Sequence, residues 1–153
     1  MINSILIIGA SSDIGIELIK NLDKDCLIIA HYNNSIKELK KLKSQNNNII
    51  TIKANLMAES ELNNLIDKVE RKIGVPEKII HLAATPVKQI RFNDVCWNDF
   101  EADIMISLRS LVLILRKFLP LMATEKKGKV VVMLSSYVLG MSPIALSHYT
   151  TTK

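Results

Sequence analysis

The run Ile5-Leu-Ile-Ile8-Gly9-Ala-Ser-Ser-Asp-Ile-Gly15 opens with four apolar, mostly β-branched residues and then changes to small and polar ones. An unbroken apolar run is what a strand buried on both faces requires, and this one stops at Gly9. From Ile14 onward Ile14, Leu18, Ile19 and Leu22 recur at helical spacing, with Glu17 in the opening turns where a negative charge suits the helix dipole. A buried strand therefore passes through a glycine turn into a helix. Such a junction sets small residues and free backbone N–H groups at a helix amino terminus, where a pyrophosphate fits. Gly9 permits the tight turn, Gly15 permits close helix packing, and Ser11 and Ser12 can donate hydrogen bonds to phosphate oxygens. An ordinary strand-to-helix turn reads the same way when only two glycines are present.

Outward from this junction the two periods keep alternating. Residues 26–30 read as a second strand, 36–42 as a helix with exposed lysines, and 49–52 as a third strand. Leu62, Leu65, Ile66 and Val69 mark an amphipathic helix ended by Gly74 and Pro76, and 78–82 is a fourth strand. A helix over 100–122 halts near Pro120, and a fifth strand over 129–134 runs into Ser135 and Ser136. Regular alternation predicts an α/β fold: a Rossmann-type, doubly wound parallel sheet in three α/β/α layers, formed by residues 1–153 as one domain. Ligands in such sheets collect at the carboxyl ends of the strands, so chemistry belongs after Ile8, Ala30, Ile52, Leu82 and Leu134.

Composition excludes several alternatives. The chain has 153 residues, 48% of them hydrophobic and 23% charged, which suits one packed core and not a disordered segment. Two cysteines, Cys26 and Cys96, make no disulfide framework and fit a cytoplasmic protein. Residues 104–122 carry Arg109, Arg116, Lys117 and Pro120, so they are not expected to span a membrane, and no secretory signal is read at the amino terminus. The net charge of +5 comes from scattered lysines, and 5% aromatic content gives little for base stacking, so no nucleic-acid partner is expected. His31, His81 and His148 lack metal-ligand spacing, so no metal is expected either.

The other chemical signal is Tyr149-Thr-Thr-Thr-Lys153. In a helix these two side chains share one face, and an ammonium beside a phenol favours the phenolate, which makes a usable general acid or base. A surface pair at this spacing is common by chance. Ser136 strengthens the pattern, because it follows the fifth strand by two residues and precedes Tyr149 by thirteen, at the same sheet edge.

In this order the glycine segment, Ser136 and the Tyr-x-x-x-Lys pair resemble the short-chain dehydrogenase/reductase family, in its short single-domain branch. The family loop Thr-Gly-x-x-x-Gly-x-Gly corresponds to Ile8, Gly9, Asp13 and Gly15, with Ile14 between the last two. Asp13 replaces a glycine, and its carboxylate is expected to point away from a diphosphate. The family's Asn-Asn-Ala-Gly segment is similar to His81-Leu-Ala-Ala84, with Ala83 and Ala84 expected beside adenine and ribose. Asn55, followed by Leu56, stands where an acid usually meets the adenine, and Ser107 stands where a catalytic asparagine often sits. The resemblance implies hydride transfer between a nicotinamide cofactor and a small carbonyl or alcohol substrate. Ser136 would orient the carbonyl, Tyr149 would exchange the proton, and Lys153 would support Tyr149 and hydrogen-bond the nicotinamide ribose. No acid follows the second strand, while His31, Asn33 and Asn34 offer donors with Lys37 nearby, so NADP(H) is favoured over NAD(H).

The resemblance also implies self-association through the 100–122 helix. Family members of this branch continue for roughly a hundred residues beyond the tyrosine motif, so the carboxyl-terminal part of the fold is expected to be missing. The competing expectation is a nucleotide-binding module with little or no catalysis, motivated by Asp13, Asn55 and Ser107. An extended epimerase-type relative fits less well, for want of an acid after the second strand.

Overall fold

The computed structural model describes residues 3–153. Helices α1 (Asp13–Lys20), α2 (Lys37–Gln45), α3 (Glu59–Ile73), α4 (Trp97–Asp103), α5 (Ser110–Thr124) and α6 (Ser147–Thr151) surround a sheet of five parallel strands. The strands are β1 (Ser4–Ile8), β2 (Leu27–Tyr32), β3 (Ile49–Lys53), β4 (Lys78–His81) and β5 (Lys129–Val132), in the order β3-β2-β1-β4-β5. The winding reverses beside β1, and the loops leaving the carboxyl ends of β1 and β4 part there to open a crevice.

Successive strand residues face opposite sides, which is why β1 shows no polar alternation. Leu6, Ile8, Ile29 and Ile79 pack against Leu62, Leu65 and Val69 of α3 and Ile114 and Phe118 of α5. Ile5, Ile7, Ile28 and Ile49 turn the other way, onto Ile16 and Ile19 of α1 and Leu39 of α2. Each such side chain, fully buried, contributes about 1.5–3 kcal/mol. The result is the doubly wound α/β/α arrangement that the alternating pattern predicts. Among the described residues, no helix is long and apolar enough to cross a membrane.

Four local features depart from expectation. β2 runs past Ala30 because β3 offers partners, His31 to Ile52 and Tyr32 to Lys53, so His31 belongs to a strand and not to the loop after it. The helix expected over 100–122 begins at Trp97, widens into a π-helical segment over Ile104–Arg109 and continues through Pro120 to Thr124. Pro120 removes only one amide near the exposed end, and the Thr124 hydroxyl donates to the Pro120 carbonyl at 3.0 Å. β5 stops at Val132, the partner of His81 at the end of β4. Finally, α6 ends at Thr151 with Thr152 as its cap, so Lys153 lies just beyond the helix that carries Tyr149.

Candidate active site

The glycine loop is held from below by its neighbours. Gly9 has φ +80, and a Cβ there would lie 2.7 Å from the Ala83 nitrogen, so the ends of β1 and β4 approach as only glycine allows. Gly15 is confined likewise, a Cβ falling 2.6 Å from the Ala10 carbonyl oxygen. Ser12 caps α1: its hydroxyl accepts from the Gly15 amide at 3.2 Å and donates to the Gly9 carbonyl at 2.8 Å. Its single proton is therefore spent inside the loop, which corrects the expectation that Ser12 donates to a phosphate. Among the described residues the amides of Asp13 and Ile14 meet no acceptor, as expected in a first helical turn.

A cleft of about 780 Å³ opens over this loop at the carboxyl ends of the strands. Gly9, Ser11, Ser12 and Asp13 form its floor, Asn33 and Asn55 with Leu56 one wall, and Ala83 and Ala84 the other. Ile14 and Gly15 do not line it. Gly15 is buried in the helix packing, and the Ile14 side chain points to solvent beside Glu17 and Leu18. Asp13 borders both the cleft and that outer hollow. The Asn55 side-chain Oδ1 accepts from the Met57 amide at 3.0 Å, an Asx turn that occupies part of its capacity towards an adenine amino group.

His31 needs correction as a cofactor donor. It borders the cleft but is 2% exposed, and both ring nitrogens are engaged within the protein. Nδ1 accepts from the Gly9 amide at 3.1 Å, and Nε2 meets the Ala54 carbonyl at 3.0 Å. Burial holds its pKa below the ordinary histidine value.

Three of the four expected catalytic residues come together. The Lys153 ammonium lies 5.6 Å from the centre of the Tyr149 ring and 3.4 Å from the Ser107 hydroxyl, which it reaches as donor. Burial pushes the Lys153 pKa down, opposed by the Asp103 carboxylate. Ser136 opens a short 3₁₀ turn, Ser136–Val138, after β5 and is exposed. Among the described residues, no side-chain hydrogen bond joins it to Tyr149 or Lys153.

Sequence reasoning missed several members of this region. Thr85, Pro86 and Ile106 line the cleft, beside Asn34, Ser35 and Leu82 of the segments read after β2 and β4. Thr85 donates to buried Asp103, one turn before Ser107, and among the described residues the second carboxylate oxygen of Asp103 has no hydrogen-bond partner. His81 Nε2 donates at 2.8 Å to the Ser110 hydroxyl, which donates onward to the Ile106 carbonyl at 2.5 Å. Burial, followed by the charges of Lys153 and His31, lowers the His81 pKa to about 4. The only sequence signal for these contacts was position: Thr85 follows Ala84, and Asp103 and Ser110 flank Ser107 at four and three residues.

A cleft at the switch point of a doubly wound parallel sheet, walled by a glycine turn and small residues, marks the chain as a nucleotide-binding α/β protein. The short chain dehydrogenase family model matches residues 3–153, and the chain belongs to that family. It is 28% identical over 146 residues to an NADPH-dependent pterin aldehyde reductase from Arabidopsis thaliana, covering 94% of this chain and 60% of that one. Its fold superposes on a gluconate 5-dehydrogenase from Burkholderia cenocepacia in complex with NADP and tartrate, with TM-score 0.82 and 15% identity over 99% of this chain and 60% of that. An NADH-dependent reductase complexed with NAD gives TM-score 0.84 at 16% identity, over 99% and 67% of the two chains. The chain thus spans 60% of the length of the curated relative it matches.

Proposed function

We propose that this chain carries the NAD(P)-binding and proton-transfer parts of an oxidoreductase that moves hydride between a nicotinamide and a small carbonyl or alcohol. The observation that carries the reading is the meeting of Tyr149, Lys153 and Ser107, the last next in sequence to Ile106, which lines the cleft over Gly9 and the amino terminus of α1. The residues present fit a dinucleotide: Gly9 lets the ends of β1 and β4 close together beneath the loop, and among the described residues the Asp13 and Ile14 amides have no acceptor at the amino end of α1, where the helix dipole favours an anion. When bound, the nicotinamide supplies or accepts the hydride.

Tyr149 holds the proton that the substrate oxygen gains or loses, and the ammonium of Lys153 stands 5.6 Å from the centre of its ring. Ser107 holds the Lys153 ammonium in place of an ordered water or asparagine. Ser136, in the turn after β5, is assigned the substrate oxygen. For cofactor choice, the absence of an acid after β2 and the donors Asn33 and Asn34 favour NADP(H), in keeping with the NADPH-dependent relative. An aromatic heterocyclic aldehyde is the first substrate class to try, because that relative reduces one by name. Self-association is assigned to the 100–122 region, whose Leu108, Val112 and Leu119 point outward, and a cytoplasmic setting accords with the two free thiols.

The test is a calorimetric titration of the chain with NADPH and NADH, followed by nicotinamide absorbance with an aldehyde panel. Binding of NADPH in preference to NADH, with aldehyde reduction lost in Tyr149→Phe and binding kept, supports the reading. Binding without turnover in either form favours the non-catalytic module, and no binding of either cofactor overturns the assignment.

A further inference from the structure

We propose that His31 is a positioning residue for the dinucleotide loop: its neutral imidazole ties the Gly9 amide to the exit of β3, and a proton on Nδ1 lets the loop go. This rests on the cleft being the dinucleotide site. Three strands converge on the one ring. The Gly9 amide, first of the loop after β1, donates to Nδ1 at 3.1 Å, and Nε2 meets the Ala54 carbonyl after β3 at 3.0 Å. The His31 carbonyl accepts from the Ala10 amide at 2.9 Å, so backbone and side chain of one residue fix two successive loop amides. Since an amide can only donate, Nδ1 must present its lone pair, and Nε2 must carry the proton that the carbonyl accepts. The tautomer is thereby determined by the protein.

A second proton on this ring would set one N–H against the Gly9 N–H. Gly9 has little room to retreat towards β4, because even a Cβ placed on it would lie 2.7 Å from the Ala83 nitrogen. The loop would have to shift, and with it Ser11, Ser12 and Asp13 on the cleft floor. The charged and titratable groups on the side of the ring are Asp13 in the loop, Glu61 of α3, which accepts from the Asn55 amide at 2.8 Å, and His81 at the end of β4, whereas Tyr32 and Lys53, next in register on β2 and β3, lie on the other face of the sheet. None of them supplies a buried counter-charge to an imidazolium, and burial already holds His31 towards the neutral form.

Two variants separate the contacts. His31→Asn keeps an acceptor within reach of Gly9 and does not titrate, whereas His31→Gln reaches towards Ala54 and gives up the Gly9 contact. Affinity for NADPH and NAD is measured by calorimetry from pH 8 to 5. The ratio of wild-type to His31→Asn affinity is used, so that titration of the ligand's own 2′-phosphate cancels. The wild type should lose affinity relative to His31→Asn by up to about tenfold per pH unit once below the folded-state pKa of His31, and His31→Gln should bind weakly throughout. Parallel profiles overturn the proposal, as does a relative gain at low pH, which would mean that attraction to the diphosphate outweighs the clash. Nitrogen NMR of the ring in the free protein should show Nδ1 unprotonated and Nε2 protonated; the opposite tautomer overturns the proposal whatever the cofactor does. If neither cofactor binds wild type at any pH, the dinucleotide reading fails, and the NMR tautomer still decides whether His31 holds Gly9.

Discussion

At the scale of single residues, two of the glycines with positive φ, Gly9 and Gly74 at opposite ends of the sheet, separate backbone strain from steric fit. Gly74, after α3, has φ +69 and open space where a Cβ would stand, whereas Gly9, at φ +80, has the Ala83 backbone within 3.0 Å. Gly74→Ala should therefore cost only the strain of the conformation, about 1–3 kcal/mol. Gly9→Ala should lose more in urea unfolding and abolish detectable NAD(P) binding, because β1 and β4 must part to admit the methyl group. Equal losses from the two substitutions would show that the crevice is looser than the contact implies. In sequence Gly9 announces a turn, but the collision of a Cβ there with Ala83 depends on which strand lies next to β1. The same holds for Ser12 and His31. Their side chains were readable as donors, yet the Ser12 proton is spent on Gly9 and the His31 lone pair on the Gly9 amide, partners that only the folded loop brings within 3.2 Å.

At the scale of elements, α5 is tied to β4 by a polar chain through the core. His81 donates to Ser110, and Ser110 to the Ile106 carbonyl, a backbone acceptor in the π-helical segment. Removing the hydroxyl in Ser110→Ala leaves a buried ring N–H without an acceptor, at a cost of about 1–3 kcal/mol. Adding His81→Leu should recover part of that loss, because the unsatisfied donor then disappears. Urea unfolding of the three variants reads this as non-additivity, and strict additivity would show the two side chains to be independent. Apolar periodicity made the strands and most helices legible, since β1 needs two greasy faces and α3 one. It could not reveal the π-helical widening at Ile104–Arg109, because one extra residue per turn leaves both flanking periods intact. Nor could it reveal that α6 ends before Lys153: the spacing from Tyr149 was readable, but helix length depends on what caps it.

At the scale of the whole molecule, burying two neutral histidines at the carboxyl end of one sheet makes stability depend on pH in a definite window. His31 and His81 are each about 2% exposed, both lose proton affinity through burial, and each charge disfavours the other. In the unfolded chain both titrate near 6.5, whereas folded His81 titrates at about 4. Above 6.5 neither state binds these protons and stability is full. As pH falls below 6.5 the unfolded chain takes up protons that the folded chain refuses, so stability declines, with His81 contributing up to about 3 kcal/mol by pH 4, where its loss levels off. Carboxylates add to acid sensitivity only lower down: Asp99, held below its usual range by hydrogen bonds from Cys96, and Glu38, paired with Lys41, lose their pairing as they protonate. The histidine window therefore stands clear of theirs. Urea midpoints at pH 7.5, 6.5, 5.5 and 4.5 should fall mainly across the last two steps, and His81→Asn should flatten the decline while lowering stability at pH 7.5. A flat profile from pH 7.5 to 5.5 combined with an equally flat one in His81→Asn would show that water reaches these rings, and with it the charge, from the same cleft that the cofactor is proposed to fill.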